Sequence, residues 1–282
     1  MSVRTLSFAV AVVCVPLSAS GQAWTRDQGS FYAGLSITTM AGNAFHGADF
    51  ESIPLASTYR QLSVGLYAEV GLVDRYLTAT LSSEVFRRNQ LDGAGRTLGL
   101  GDSRIGLWTG LLTSPLKLAV GVVADVPTGD EAPDSAAARS LPTGNGKFDV
   151  TPTVAVGHSF GGQSWPLTHF AQLVVGYSPA VSGFAQQLSY RLELGSRVPL
   201  DVLDRFWLTL RLSGTESFAS NQDLDPSLLS GLGNGVSVTA LGLELYGRIA
   251  GGFGATLGAD TAFRARGIVS ALPIKVGLSY QR

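Results

Sequence analysis

The sequence predicts an all-β chain closed into a transmembrane, antiparallel, up-and-down β-barrel of about twelve strands, and three observations carry that prediction. Hydrophobic residues are 45% of the chain, yet past residue 23 no stretch approaches a spanning helix; even Leu116–Val126 is broken by Lys117 and Asp125. A barrel removes the conflict, because its lipid face takes only every second residue. Several segments alternate apolar and polar residues with a strict period of two. Long polar connections and short tight turns then alternate along the chain, as the extracellular loops and periplasmic turns of such a barrel do.

The chain opens with one basic residue, Arg4, an apolar run over Leu6–Val15, Pro16 and a small-residue tail to Ala23, the pattern of a secretory signal peptide spanning residues 1–23. Cleavage after Ala23 suits the small-residue rule, and cleavage after Gly21 is the nearest competitor. A membrane-anchoring helix would need about 20 apolar residues, more than this run supplies. Cys14, the only cysteine, lies inside that segment and lacks the preceding small residue of a lipoprotein box, so the mature chain is expected to hold no disulfide, thiolate metal site or cysteine nucleophile. Without Arg4, 19 basic residues face 21 acidic ones, a net charge of −2 with no polybasic segment, which argues against nucleic acid as a partner.

In residues 24–282, read as one barrel domain, Leu62, Val64, Leu66, Ala68, Val70 and Leu72 alternate with Ser63, Gly65, Tyr67, Glu69 and Gly71. One set suits lipid and the other a lumen. A tight turn at residues 73–75 leads into Leu77, Ala79, Leu81 and Val85 on the outward face, which makes a hairpin. The same pattern gives strands near 29–39, 57–72, 76–86, 102–112, 116–126, 149–160, 168–177, 186–198, 205–217, 236–249, 253–263 and 269–281. An even count puts both termini in the periplasm. Connections 40–56, 87–101, 127–148, 178–185, 218–235 and 264–268 then face outward from the cell, and 73–75, 113–115, 161–167, 199–204 and 250–252 face the periplasm. Phe31, Tyr76, Phe160, Phe206, Phe253, Phe263 and Tyr280 sit near strand ends, where aromatic girdles belong. A soluble sandwich would need polar residues where Leu188, Tyr190, Leu192 and Leu194 stand. Residues 24–28 alone separate the signal from the first strand, which leaves no room for an N-terminal plug.

Side-chain parity places Arg191 and Glu193, Arg211, and Glu244 with Tyr246 inward on three successive strands, and Lys275 inward on the last. Matching strand ends sets Arg191 nearly opposite Arg211 and Arg211 near Glu244, a charged patch that either pairs across strands to fill the lumen or forms a selective constriction. Glu84 and Arg104 face inward on neighbouring strands near the outer rim, as a salt bridge would. The adjacent His158 and Ser159 point to opposite faces of a strand and cannot act as base and nucleophile. His46 and His169 have no acidic pair at metal-ligand spacing. The segment Leu141–Lys147 (LPTGNGK) departs from a phosphate loop at Leu141 and Phe148. Asp125, Asp130, Glu131 and Asp134 match no calcium loop. Neither a cofactor nor a metal is expected; the expected partners are outer-membrane lipid, the barrel-assembly machinery and a small-molecule solute.

The segments Gly71–Tyr76 (GLVDRY), Gly99–Leu107 (GLGDSRIGL), Val126–Asp130 (VPTGD) and Leu141–Gly146 (LPTGNG) together resemble the outer-membrane barrel family associated with the meta pathway of phenol degradation, a group of candidate transporters. The likeness covers the N-terminal half. It implies passage of small, aromatic or hydrophobic molecules across the outer membrane of a Gram-negative-type envelope, and it transfers no catalytic residue. Two departures stand out: Gln281 and Arg282 follow Tyr280 where many such barrels end in an aromatic residue, and no N-terminal hatch is expected. A non-conducting barrel with loop-mediated binding is the alternative, and an outer-membrane lipid hydrolase ranks below both.

Overall fold

In the computed structural model, the described residues are 22–131, 141–162, 165–181, 183–198, 206–219 and 229–282. Cys14, Asp134 and the proposed signal segment up to Gly21 lie outside them. The described residues form fourteen strands and no helix: β1 (Phe31–His46), β2 (Ser52–Val73), β3 (Leu77–Leu91), β4 (Gly95–Gly99), β5 (Ser103–Thr113), β6 (Leu116–Val126), β7 (Asp149–Gly162), β8 (Trp165–Ser178), β9 (Gln187–Val198), β10 (Phe206–Ser217), β11 (Ser237–Arg248), β12 (Phe253–Arg266), β13 (Ile268–Ser270) and β14 (Ile274–Gln281). Each strand pairs antiparallel with its neighbours, and β1 pairs with both β2 and β14, so the sheet closes on itself. Twelve strands form the wall; β4 and β13 are short additions at the loop end. Closure leaves none of the twelve wall strands at a sheet edge, the requirement for β-structure in hydrocarbon.

Alternation decides which side chains face out. Leu35 and Ile37 on β1, Ile105 and Leu107 on β5, Leu241 and Leu243 on β11, and Val276 and Leu278 on β14 are 41–62% exposed. Such a band around the whole barrel far exceeds the apolar patch a soluble monomer leaves in water, so the sandwich reading fails on the outer face.

The wall follows the alternation, and the differences lie at the loop end. The connection expected over 40–56 is mostly strand: β1 and β2 continue as a paired hairpin to His46↔Ser52. Its Ala, Gly and Asn residues read as loop, but Met40 and Phe45 bury themselves against Tyr59, Leu141, Leu229 and Val269. Within the connection expected over 87–101, β3 runs on to Leu91 and β4 returns beside it. The strand expected over 269–281 is broken instead between Ser270 and Ile274, around Pro273, which lacks the N–H a ladder needs.

Candidate functional site in the lumen

A belt of polar side chains crosses the inner wall from β8 to β14, with Arg211 at its hub. Its Nε donates to Glu193 at 3.1 Å, its Nη1 to Asp260 at 3.1 Å and its Nη2 to Glu244 at 3.0 Å. Gln172 donates to the other Glu193 oxygen at 3.0 Å. Lys275 stands 4.0 Å from Glu244, and the Arg191 Nε is 3.7 Å from Glu193. Arg211 is 2% exposed, so its charge is tenable only because three carboxylates surround it.

The expected pairing of Arg211 with Glu244 is present, but Arg191 does not face Arg211. Glu193 occupies that place and Arg191 faces Ser213, two residues nearer the loop end. The shift arises because β9 and β10 meet farther along the chain than matched strand ends imply. Asp260 escaped the sequence reading, although Leu257, Gly258, Ala259 and Asp260 carry the same alternation as the other strands. Gly242 lies between Arg211 and Asp260 in the ladder, and a Cβ there would fall 3.0 Å from the Asp260 carboxyl carbon. The bare backbone at Gly242 lets the two charges meet. Tyr246 lies nearer the turn end, its ring covering Gly254.

Glu84 and Arg104 both face the lumen but do not bridge to each other. A register shift between Val64 and Gly65 leaves Val85 without a cross-strand partner, which turns both Glu84 and Arg87 inward, 3.1 Å apart. Arg104 binds Asp125, directly across on β6. Asp125 is therefore a wall residue rather than part of an acidic loop.

Chain segments cover the lumen at the loop end. Leu141 and Thr143 are fully buried, and Lys147 pairs with Asp149 at 2.8 Å. Thr97 donates to the Leu141 carbonyl at 2.5 Å and Asn89 to the Pro142 carbonyl at 2.6 Å, while the Asp102 carboxylate accepts from Gly129 and Asn145. The LPTGNGK segment is thus a strap built into the lumen, not a phosphate cradle. Arg87 also donates to the Ser230 carbonyl at 3.1 Å, which ties in a second loop.

At the turn end the expectation of no plug is overturned: residues from Gln22 onward enter the barrel. Ala23 packs with Trp108, Ala119, Ala155 and Val174. Its N–H donates to Gln172 at 3.2 Å, and the Arg26 N–H donates to Thr78 at 2.8 Å. The Arg26 guanidinium pairs with Glu69 at 2.5 Å and lies over the Tyr32 ring. Trp24 meets Phe170 edge-on, with ring centroids 6.0 Å apart. Asp27 pairs with Arg75 at 2.7 Å at the exposed mouth, and that guanidinium holds the Asp27 carboxyl below the usual carboxylate range. This segment has no periodicity to read. The recess that receives it is nevertheless written in the small inward residues Gly110, Ala119, Ala155 and Gly157 of β5–β7; a Cβ on Gly157 would fall 2.5 Å from the Trp24 ring.

Between the two inserts lies a cavity of about 240 Å³ whose wall includes Thr80, Ser82, Arg104, Trp108, Thr153 and Arg191. His158 is not part of it: its ring is on the outer face, stacked on Phe160, and Phe160 in turn stacks on His169.

A closed barrel with an apolar exterior and a polar, charged interior has the architecture of a transmembrane β-barrel. No family model and no curated protein matches the chain. Among solved structures, an outer membrane channel from Pseudomonas putida F1 matches with a TM-score of 0.66 at 12% identity, over 94% of this chain and 100% of that one. The NanC porin (TM-score 0.46, 9% identity, 86% and 98% covered) and the KdgM porin (TM-score 0.42, 7% identity, 87% and 98% covered) are more distant.

Proposed function

We propose that the chain is an outer-membrane channel through which small molecules pass passively, with the long loops outside the cell, both termini in the periplasm, and outer-membrane lipid against the apolar band. The observation that carries this reading is the cavity of about 240 Å³ inside a closed barrel, walled by charged, hydroxyl and aromatic side chains and lying between inserts from either end. Twelve strands lie between the eight-stranded barrels that side chains fill and the large porins with aqueous channels, so a narrow route suits the size. Aromatic or hydrophobic solutes are the cargo that the family resemblance suggests. Export by a signal peptide, cleaved after Gly21 so that Gln22 and Ala23 stay with the barrel they fill, and insertion by the barrel-assembly machinery complete the picture.

A second reading, a non-conducting barrel whose loops bind a partner, draws on one observation: chain segments cover the lumen at both ends. Swelling of liposomes reconstituted with the protein separates the two. Entry of small neutral and aromatic solutes at rates falling steeply with size is expected, and no entry by any of them would favour the second reading.

A further inference from the structure

We propose that the cavity beside Trp108 and Arg191 binds the carboxylate of a small organic acid with an apolar body, an inference that deepens the channel reading by naming a solute class. Trp108, Ser82 and Arg191 line this cavity, and each holds a buried polar group that makes no hydrogen bond to any described residue: the Trp108 Nε1, the Ser82 hydroxyl and the Arg191 Nε. Trp108 is 1% and Ser82 8% exposed, so leaving them unmatched costs free energy that a ligand acceptor would recover. An indole N–H and a guanidinium only donate, and together they call for an acceptor.

The charges of the cavity wall favour an anion. Arg104 has Asp125 and Lys147 has Asp149, each in direct contact. Arg191 has only Glu193 at 3.7 Å, and that carboxylate is held closer by Arg211, at 3.1 Å. Its Nη2 donates to the neutral side-chain amide of Gln22 at 2.7 Å. Arg191 is therefore the cation of this wall whose charge is least matched. The wall carboxylates Asp125, Asp149 and Asp260 are each committed to an Arg or Lys, so a ligand ammonium finds no comparable site. Val123, Val174, Val238 and Ala240 line the same cavity and offer an apolar surface to the rest of the molecule. A guanidinium flanked by neutral donors suits a planar carboxylate.

Calorimetric titration of the folded full chain in detergent tests this, with benzoate and cyclohexanecarboxylate as probes and benzyl alcohol and benzylammonium as controls. The two carboxylates should bind saturably and the controls at least ~10-fold more weakly, as expected when a charge-assisted hydrogen bond is lost. Arg191→Gln should weaken benzoate by ~10-fold or more, and Trp108→Phe, which keeps an aromatic ring but removes the N–H, by several-fold. Equal binding of benzylammonium or benzyl alcohol, no benzoate binding, or an undiminished benzoate affinity in both variants would overturn the proposal. Heat-modifiable mobility on gels shows that each variant is folded, and Trp108→Phe decides the matter if Arg191→Gln does not fold. Benzoate binding without any solute entry into liposomes would sink the channel reading and leave the site standing; solute entry without benzoate binding would do the reverse.

Discussion

The two halves of the inner wall solve the same problem in opposite ways. From β8 to β14 the wall fills itself: Gln172, Glu193, Arg211, Glu244, Asp260 and Lys275 satisfy one another across neighbouring strands. From β5 to β8 it is lined by Trp108 and by small residues such as Gly110, Ala119, Gly121 and Ala155, and its filling comes from Ala23 and Trp24. Charges packed in a row need exact registry and give rigidity, because removing one strands the others. Small residues leave a recess that a separate chain segment can enter or leave. The first wall is thus a strut and the second a seat.

Breaking the strut should have the largest effect. Arg211→Met leaves Glu193, Glu244 and Asp260 without their shared cation and should cost about 3–5 kcal/mol of folding stability, read as a lower denaturant midpoint of the heat-modifiable barrel. The matching change on the other wall, Thr153→Ala, removes one hydrogen bond, to the Thr151 carbonyl at 3.2 Å, and should cost only about 1 kcal/mol. Equal losses would erase the distinction between the two walls.

Next comes the seat. A Cβ on Gly157 would lie 2.5 Å from the Trp24 ring and 2.9 Å from the Ala23 Cβ, so Gly157→Val should push the N-terminal segment out while the barrel stays folded. Single-channel conductance is expected to rise; an unchanged conductance would mean that the segment does not limit the pore. A smaller change should follow from Glu69→Gln, which takes the carboxylate from Arg26 but leaves the Ala23 packing intact. More frequent open-channel flicker without a full rise in conductance is its signature.

The exposed Asp27–Arg75 pair should matter least. Its sign is fixed by the lowered Asp27 pKa: the contact is fully present above the ordinary carboxylate pKa of ~3.9 and fades only as the pH falls through the lower folded value. Conductance should therefore show no step between neutral and mildly acidic pH from this pair, and Asp27→Asn should match the wild type at neutral pH within error.

Much of the strut was legible in the sequence. A period of two identifies inward residues without knowledge of neighbours, so Arg191, Glu193, Arg211, Glu244, Tyr246 and Lys275 could be assigned to the lumen from alternation alone. Which of them touch depends on register, and register depends on turns whose length alternation does not report. Hence Arg191 was set against Arg211 where Glu193 stands, and a single bulge at Val85 redirected Glu84 to Arg87. The seat was far less legible. Residues 22–28 carry no periodicity, and their place is decided by packing against glycines and alanines contributed by three strands. At the loop end, Phe45 and Leu141 lie in segments of turn-forming composition, and only the tertiary cluster explains why they are ordered.

In a conducting barrel of this design, solutes pass along the seat wall through the cavity beside Trp108. Cys14 is the only natural cysteine, so with Cys14 cleaved or replaced by serine a single thiol can be placed at will. Thr153→Cys puts one in the cavity wall, and Leu243→Cys puts one on the outer face, where Leu243 is 52% exposed. A bulky methanethiosulfonate reagent added during planar-bilayer recording should reduce the conductance of Thr153→Cys to a small fraction and leave Leu243→Cys unchanged. Complete labelling of Thr153→Cys with no change in conductance would contradict the account.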